Sequence, residues 1–525
     1  MYLIETAHTI AWPRLASKSP FAQCSSKDIE RFYAFGWGAI EKPRFATIIA
    51  GFHHFAAHQP EAIAAEHEGV AITYGLLNAR ANALAAQLRR RGVGRGDAVC
   101  LYLRRSIPML VGILASLKLG AHYVPQHVGV ATNEMLRRIA LATGSHVVLT
   151  HPDLVDDLPA GLPAVLPISD AVGDDSHSAA AQPDDLAMIL FTSGTTGVPN
   201  GVQVTHKNLC NILQTAPGDL GMRPGLRVGQ ILSIAFDMAA WETLGALSNG
   251  ATLVIRGRSI QETAEKVHVL IATPSILNTI DRTRCSNAHV VAVAGEPCPR
   301  PLADKWAASC AFYNACGPTE TTIINTAERH YPGKSILSIG RPTPNNTVYI
   351  LDNDLNPLPI GAKGEMWAGG DCVTAGYLNN PQLTADRYRP DPFRIGHMMF
   401  RTRDLGRWTH DGALEHFGRV DDLVKIRGFR VELNGVSAAL EASAGCRQAA
   451  TLKFDDRNLV SFITPETASP QAAMASVEAR LPYYSKPTVI LAVPHLPHTP
   501  RGKLDKRLLL QQAAAEIKTR GVALN

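Results

Sequence analysis

Nowhere in this 525-residue chain do two cysteines form a Cys-x-x-Cys pair. The nine cysteines are odd in number and widely scattered. That excludes a disulfide framework and reads as the reduced thiols of a cytoplasmic protein. Long apolar runs are missing as well, and the run at 109–117 is far too short to span a membrane. The N-terminus lacks the basic-then-apolar pattern of a signal peptide. Charge of one sign is scarce: lysine plus arginine number 51, aspartate plus glutamate 46, for a net +5. Such a balance argues for neither a nucleic-acid partner nor a membrane surface. No glutamate follows His54, so His54 and His58 lack the zinc-protease pattern and read as structural. What is present is 46% apolar and 18% charged residues, a composition that suits a large, well-buried α/β enzyme. The length allows roughly three domains or subdomains.

The chain is organised around Phe191-Thr192-Ser193-Gly194-Thr195-Thr196-Gly197-Val198-Pro199-Asn200-Gly201. An apolar run, 186–190, leads into it and reads as a buried strand. Glycine lets the backbone turn with positive φ and approach a ligand closely. Successive backbone N–H groups in such a turn form an anion-binding nest, and the hydroxyls add donors. The ligand that fits is a polyphosphate. The loop lacks the Gly-Lys-Ser/Thr ending of a Walker A motif.

Around this loop, helical and strand-like stretches alternate. Helices are expected at 76–91 and 108–119, the second ending at Gly120 as a C-cap. Strands are expected at 98–103, 146–150, 186–192 and 252–256. Their alternation argues for an α/β fold with largely parallel sheets. From 340 to 377, short strands punctuated by Gly and Pro indicate a β-rich subdomain. Residues 423–426 and 429–433 read as a hairpin that opens a small α+β domain. The expected organisation is an extension over 1–45, a large domain over 46–420, a small C-terminal domain over 422–510 and a tail over 511–525. The extension carries Trp12, Phe21, Phe32, Tyr33, Phe35 and Trp37. It is expected to pack on the main body or on a neighbour, with its aromatics as a docking surface for a partner protein. The stretch 170–185, rich in Ser, Ala and Asp, reads as an exposed connector.

Six stretches in order resemble the cores of the adenylate-forming superfamily, which holds acyl-CoA synthetases, luciferases and nonribosomal peptide synthetase adenylation domains. They are the loop above, Asn314-Ala315-Cys316-Gly317-Pro318-Thr319-Glu320, and Gly364-Glu365 through Gly376-Tyr377-Leu378. Arg401-Thr402-Arg403-Asp404-Leu405, Gly418-Arg419-Val420-Asp421-Asp422 through Gly428, and Pro500-Arg501-Gly502-Lys503-Leu504-Asp505 complete the set. The resemblance covers about residues 46–508 and is nearest to a free-standing nonribosomal peptide synthetase adenylation domain.

The resemblance implies that Thr192, Ser193, Gly194, Thr195, Thr196 and Gly197 cradle the ATP phosphates, with Thr319 in contact. It implies that Glu320 helps hold Mg²⁺, a hard cation that takes carboxylate oxygens. Asp404 would accept hydrogen bonds from the ribose hydroxyls, with Arg419 nearby; Gly295, Asn314 and Cys316 would border the adenine. Lys503 is the catalytic candidate, its ammonium bridging the substrate carboxylate and the α-phosphate, a contact typically worth about 3–4 kcal/mol in a dry site. Asp421 resembles the hinge about which a mobile small domain turns between two half-reactions.

In amino-acid-activating members of this superfamily, an aspartate at the place of Asp237 pairs with the substrate α-ammonium; an N-cap role for Asp237 is the plain alternative. By the same pattern Phe236, Met238, Trp241, Ile271, Ala292, Ala294, Ala315, Ile323 and Ile324 line the substrate pocket. None carries charge, so a hydrophobic amino acid is implied; the set resembles phenylalanine pockets, and leucine-like substrates stay open. The expected reaction is formation of aminoacyl-AMP and pyrophosphate, then transfer to the phosphopantetheine thiol of a separate carrier protein in natural-product biosynthesis. An acyl-CoA synthetase or amide ligase of the same fold is the rival enzyme. A degenerate adenylate-binding protein is the rival from another class. Departures from the pattern support the latter: Asn200 for the loop lysine, Arg403 for a glycine, Cys316 for an aromatic, and Gln126-His127 for Leu-Asp.

Overall fold

A computed structural model describes residues 20–173, 181–192, 199–334, 336–420, 423–497 and 504–520. Two largely parallel sheets form the large domain. The first has six strands in the order Ala164–Pro167, Val147–Thr150, Ala98–Leu103, His122–His127, Leu186–Thr192 and Asn200–Thr205, with only the last pair antiparallel. The second has nine strands. Its parallel centre holds Arg227–Gln230, Thr252–Ile255, Val269–Ala272, Val290–Val293 and Ala311–Cys316.

Helices Ile107–Lys118 and Asp237–Ser248 are buried along their whole length. A helix buried on every side needs elements packed all round it, and the apolar residues of both belong to the main hydrophobic core. Ser106 caps the first by accepting the Met109 N–H. The chain leaves that helix at Leu119, and Gly120 follows with φ +68°. The strand expected at 98–103 is observed as Ala98–Leu103, and that at 252–256 as Thr252–Ile255.

The β-rich part is a five-stranded antiparallel sheet that includes Asn346–Leu351, Gly364–Gly370 and Met398–Trp408. Several aromatics of the N-terminal segment pack on it. Phe32 stacks on Tyr349 at 5.4 Å and meets Phe21, Trp37 and Phe393 edge-on. Of the expectations for this segment, packing on the main body is seen for the described residues from 20 onward. Phe21, Phe32 and Trp37 are occupied internally, and Trp12 lies outside the described residues. Gly340, at φ +92°, turns the chain into this region; a Cβ there would land in the Ala327 backbone. Gly340→Ala is expected to cost about 1–3 kcal/mol through overpacking alone, read as a lower urea midpoint.

The smaller C-terminal domain begins with the hairpin Leu423–Ile426 and Phe429–Glu432. A three-stranded sheet and helices Leu433–Glu441, Pro470–Arg480 and Lys506–Arg520 follow. No helix among the described residues is long and apolar enough to cross a membrane.

Candidate active site

The carboxyl ends of strands Val290–Val293 and Ala311–Cys316 open into a cavity of about 540 Å³. It is closed by strand Leu414–Arg419 and by the hairpin of the small domain. The turn of that hairpin fits tightly: a Cβ on Gly428, at φ +83°, would lie 2.7 Å from Thr273 Cγ2. Phe236, Asp237, Met238, Gly295, Asn314, Ala315, Cys316, Thr319, Ile323, Asp404 and Arg419 all reach this one cavity. These are eleven of the residues expected from the sequence. The loop residues Ser193, Gly194, Thr195, Thr196 and Gly197 lie outside the described residues, as do the hinge Asp421 and Lys503.

Asp404 sits inside strand Met398–Trp408 and is nearly buried. Arg419 Nη1 donates to its Oδ1 at 3.0 Å, and His416 Nε2 lies 3.4 Å away. Burial alone would raise its carboxyl; His416 and Arg419 outweigh that and hold it below the usual carboxylate range. A buried, ionised acceptor at a cavity wall suits a pair of hydroxyls. Arg403, just before it, takes φ +61°, which explains a glycine preference at that position. Its guanidinium pairs with Asp386 at 3.3 Å, so its charge is matched there rather than left over for a nucleotide. Asn314 donates to Ser338 O at 2.8 Å, and burial pushes the Cys316 thiol up to about 12, leaving it neutral.

Asp237 is only 8% exposed. Its helix is capped at Phe236 with no side-chain bond, so the N-cap explanation does not account for this aspartate. Oδ1 accepts the Met238 N–H at 2.7 Å and Oδ2 the Thr319 hydroxyl at 2.8 Å. It has no ion-pair partner among the described residues. Burial raises its carboxyl, countered by Thr319 and by the Lys425 ammonium. A narrow second cavity of about 60 Å³ meets it, lined also by His127, Thr192, Phe429 and Tyr484.

Trp241, Ile271, Ala292, Ala294 and Ile324 do not line either cavity; they are buried in the core. Trp241 is turned away because its indole N–H donates to Gly218 O at 2.6 Å, as a buried indole must find an acceptor. Leu337, Ile339, Pro297 and Cys298 take the vacated wall positions. Lys425, Arg430 and Lys453 of the small domain also reach the cavity. Only Lys425 lies in a stretch quoted from the sequence, 418–428, and none of the three was expected at the site.

Glu320 is wholly buried in the turn Thr319–Thr321. Arg430 Nη1 donates to both its oxygens at 2.9 Å, and the Tyr377 hydroxyl to Oε1 at 2.6 Å. A metal ion at Glu320 therefore requires Arg430 to withdraw. Thr322 and Ile323 follow at φ +52° and +72°. Left-handed β-branched residues are rare, and strain of this kind gathers at functional sites.

Two domains close on a cavity of about 540 Å³ whose walls carry the buried carboxylates of Asp404 and Asp237, and the chain is an adenylate-forming enzyme of the nonribosomal peptide synthetase adenylation-domain type. The chain belongs to the AMP-binding enzyme family, whose model matches residues 52–378. Adenylate-forming reductase 03009 of Coprinopsis cinerea is 43% identical over 515 residues, 96% of this chain and 50% of that protein. Tyrocidine synthase 2 of Brevibacillus parabrevis is 34% identical over 492 residues, 90% of this chain and 14% of that protein. The fold is shared with holo-PA1221, a nonribosomal peptide synthetase protein containing adenylation and carrier domains bound to a vinylsulfonamide inhibitor. There the TM-score is 0.79 at 24% identity, over 92% of this chain and 85% of that one. The chain spans about half the length of the adenylate-forming reductases it matches.

Proposed function

We propose that the chain activates a hydrophobic α-amino acid with ATP and passes the aminoacyl group to a carrier-protein phosphopantetheine thiol. The observation that carries this reading is Asp237, a buried carboxylate at the cavity wall with no cation within ion-pair distance among the described residues, Lys425 acting on it only from further off. Such a charge is costly to bury alone, and a substrate ammonium relieves it. Met238, Ala315, Ile323, Leu337 and Ile339 give the same cavity an uncharged wall, where a charged substrate side chain would lack a partner.

In the first step the substrate carboxylate oxygen attacks the α-phosphorus of ATP, the α–β bridging P–O bond breaks, and pyrophosphate leaves. Asp404 and Arg419 hold the ribose end, Asn314 and Cys316 the base end, and Asp237 the ammonium. Lys503 supplies a cation between carboxylate and α-phosphate. Mg²⁺ at Glu320 would neutralise phosphate charge once Arg430 has moved off. In the second step a thiolate sulfur attacks the acyl carbon and AMP leaves with the mixed-anhydride electron pair. Most of this catalysis is positioning and charge stabilisation.

The Coprinopsis relatives favour a second reading, in which the activated acyl group goes on to a reductive step in a longer protein. The test is labelled-pyrophosphate exchange into ATP across the twenty amino acids plus aryl and fatty acids, with Lys503→Ala beside the wild type. The expected result is one dominant hydrophobic amino acid, with the signal lost in the variant. Strongest exchange with an acid lacking the α-amino group would overturn the amino-acid reading. Silence across the panel in folded protein would favour a binding-only role.

A further inference from the structure

Asp237 stands at the start of helix Asp237–Ser248, and the connection 231–236 brings the chain to it from strand Arg227–Gln230. Pairing of that strand with Thr252–Ile255 ends at Gln230. Ile231, Leu232, Ser233 and Ile234, which follow, are all buried. Their peptide groups therefore need partners from elsewhere, because a buried N–H or C=O left unpaired is costly.

The partners of the first two peptides are side chains. Glu242 lies further along the same helix as Asp237, is fully buried, and reaches back to the root of the connection. Its Oε1 accepts the Ile231 N–H at 2.9 Å and the Leu232 N–H at 3.3 Å. Its Oε2 accepts the Leu232 N–H and the Gln230 side-chain amide, both at 3.2 Å. The carbonyls of the same peptides are held from outside the helix. Leu232 O accepts from Arg105 Nε at 2.8 Å and from Gln230 Nε2 at 2.7 Å, and Ile231 O from Arg256 Nη1 at 3.5 Å. Further along, the Phe236 N–H donates to Ser233 O at 2.9 Å and the Ala235 N–H to Ser233 Oγ at 3.4 Å, both within the connection itself.

The helix that carries Asp237 is thus tied, through Glu242, to the root of the connection that delivers Asp237. A connection closed in this way has one exit direction, and Phe236 and Asp237 at its far end both meet the Asp404 cavity. A binding carboxylate is useful only where its supports hold it within about 0.5 Å of the productive place. Burial pushes the Glu242 carboxyl up to about 8 against the pull of the Ile231 and Leu232 N–H groups, so near neutral pH it serves mainly as a hydrogen-bond acceptor.

We propose that Glu242 is a positioning residue for Asp237: by holding the Ile231 and Leu232 peptides it fixes the place at which Asp237 meets the substrate ammonium. The substrate half of this rests on the amino-acid reading above; the placement half does not. Glu242→Met keeps the length of the side chain and removes the acceptor. Glu242→Gln keeps one acceptor oxygen, and Oε1 alone reaches both N–H groups. Thr243→Val is the control for losing a buried polar contact on this helix, since the Thr243 hydroxyl donates to Ala239 O at 2.7 Å, inside the helix. All are made in the full chain. The first measurement is hydrogen exchange at the Met238 amide. This N–H lies in the first turn, where the helix supplies no acceptor, and Asp237 Oδ1 holds it. Glu242→Met is expected to speed that exchange at least tenfold, whereas Glu242→Gln and Thr243→Val stay within about threefold of the wild type. The second is the ratio of kcat/KM for the amino acid to that for its des-amino analogue in pyrophosphate exchange. It should fall at least tenfold in Glu242→Met through KM for the amino acid, with KM for ATP within about threefold, and recover in Glu242→Gln. Should Glu242→Met not fold, Glu242→Asp, which withdraws the carboxyl by one methylene, is judged by the same criteria. Unchanged Met238 exchange in the folded variant overturns the proposal. So does an equal change in Thr243→Val, or a preference for the amino acid that survives the substitution. A wild type without that preference overturns the amino-acid reading instead, and the exchange result alone then decides the placement.

Discussion

Asp237→Ala is expected to lower amino-acid-dependent pyrophosphate exchange by roughly a hundredfold or more, chiefly in kcat/KM. Removing one member of a buried, hydrogen-bonded charge pair costs about 2–5 kcal/mol, and the carboxylate is fixed in place by Met238 N–H and Thr319. The loss is selective. The des-amino analogue of the substrate, which in the wild type leaves Asp237 buried and unpaired, should be activated better by the variant than by the wild type. Asp237→Asn keeps the Thr319 contact without the charge and should fall with alanine rather than with the wild type. The pH dependence has a definite sign. Burial raises the Asp237 carboxyl, so the charge that attracts the ammonium is lost at a higher pH than for an exposed aspartate. KM for the amino acid should therefore climb as pH falls through that raised value, and the climb should be absent in the alanine variant. Equal losses for the amino acid and its des-amino analogue would sink the assignment of Asp237 to the ammonium.

The parts of this site legible in the sequence are those fixed by local chemistry. Asp404, Asn314, Thr319 and Arg419 lie in short stretches whose residue types and spacing resemble nucleotide-binding cores, and all four reach one cavity. Strand and helix positions were legible for the same reason: Ala98–Leu103 is a continuous apolar run and Ile107–Lys118 an apolar helix between a Ser cap and a Gly stop. Pocket walls were less so. Trp241 and Met238 share one helix, yet the indole N–H commits Trp241 to Gly218, while Met238 faces the cavity. Only tertiary packing distinguishes them. The aromatics near the N-terminus had the composition of a docking surface, but Tyr349 and Phe393, more than three hundred residues on, pack against Phe32 and leave it buried. Lys425 and Arg430 escaped because their roles depend on how the small domain is set against the large one.

That setting makes the Glu320–Arg430 pair the other place where a single change should have a large effect. Burial by itself would raise Glu320; Arg430, Arg387 and the Tyr377 hydroxyl reverse this and hold its carboxyl down to about 2. Because this value lies below that of an unfolded glutamate, the pair stabilises the docked arrangement at neutral pH. The contribution fades as pH falls from the ordinary carboxylate range toward about 2. Replacing Arg430 with methionine strands a fully buried carboxylate, and breaking such a pair from one side costs about 3–5 kcal/mol. The small domain can escape that cost by letting go. Arg430→Met is therefore expected to speed amide hydrogen exchange across the hairpin Leu423–Ile426 and Phe429–Glu432 roughly a hundredfold or more, the equivalent of that energy in a local opening. Adding Glu320→Gln removes the stranded charge while keeping the shape and the Tyr377 contact. The double variant should regain most of the protection, because two uncharged partners of similar volume are tolerated where one bare charge is not. Glu320→Gln alone leaves Arg430 beside Glu432, 3.9 Å away, and should fall between the two. Exchange unchanged in Arg430→Met, or a double variant no better protected than the single one, would mean that the hairpin is held by Gly428 and Phe429 packing and that the buried pair contributes little.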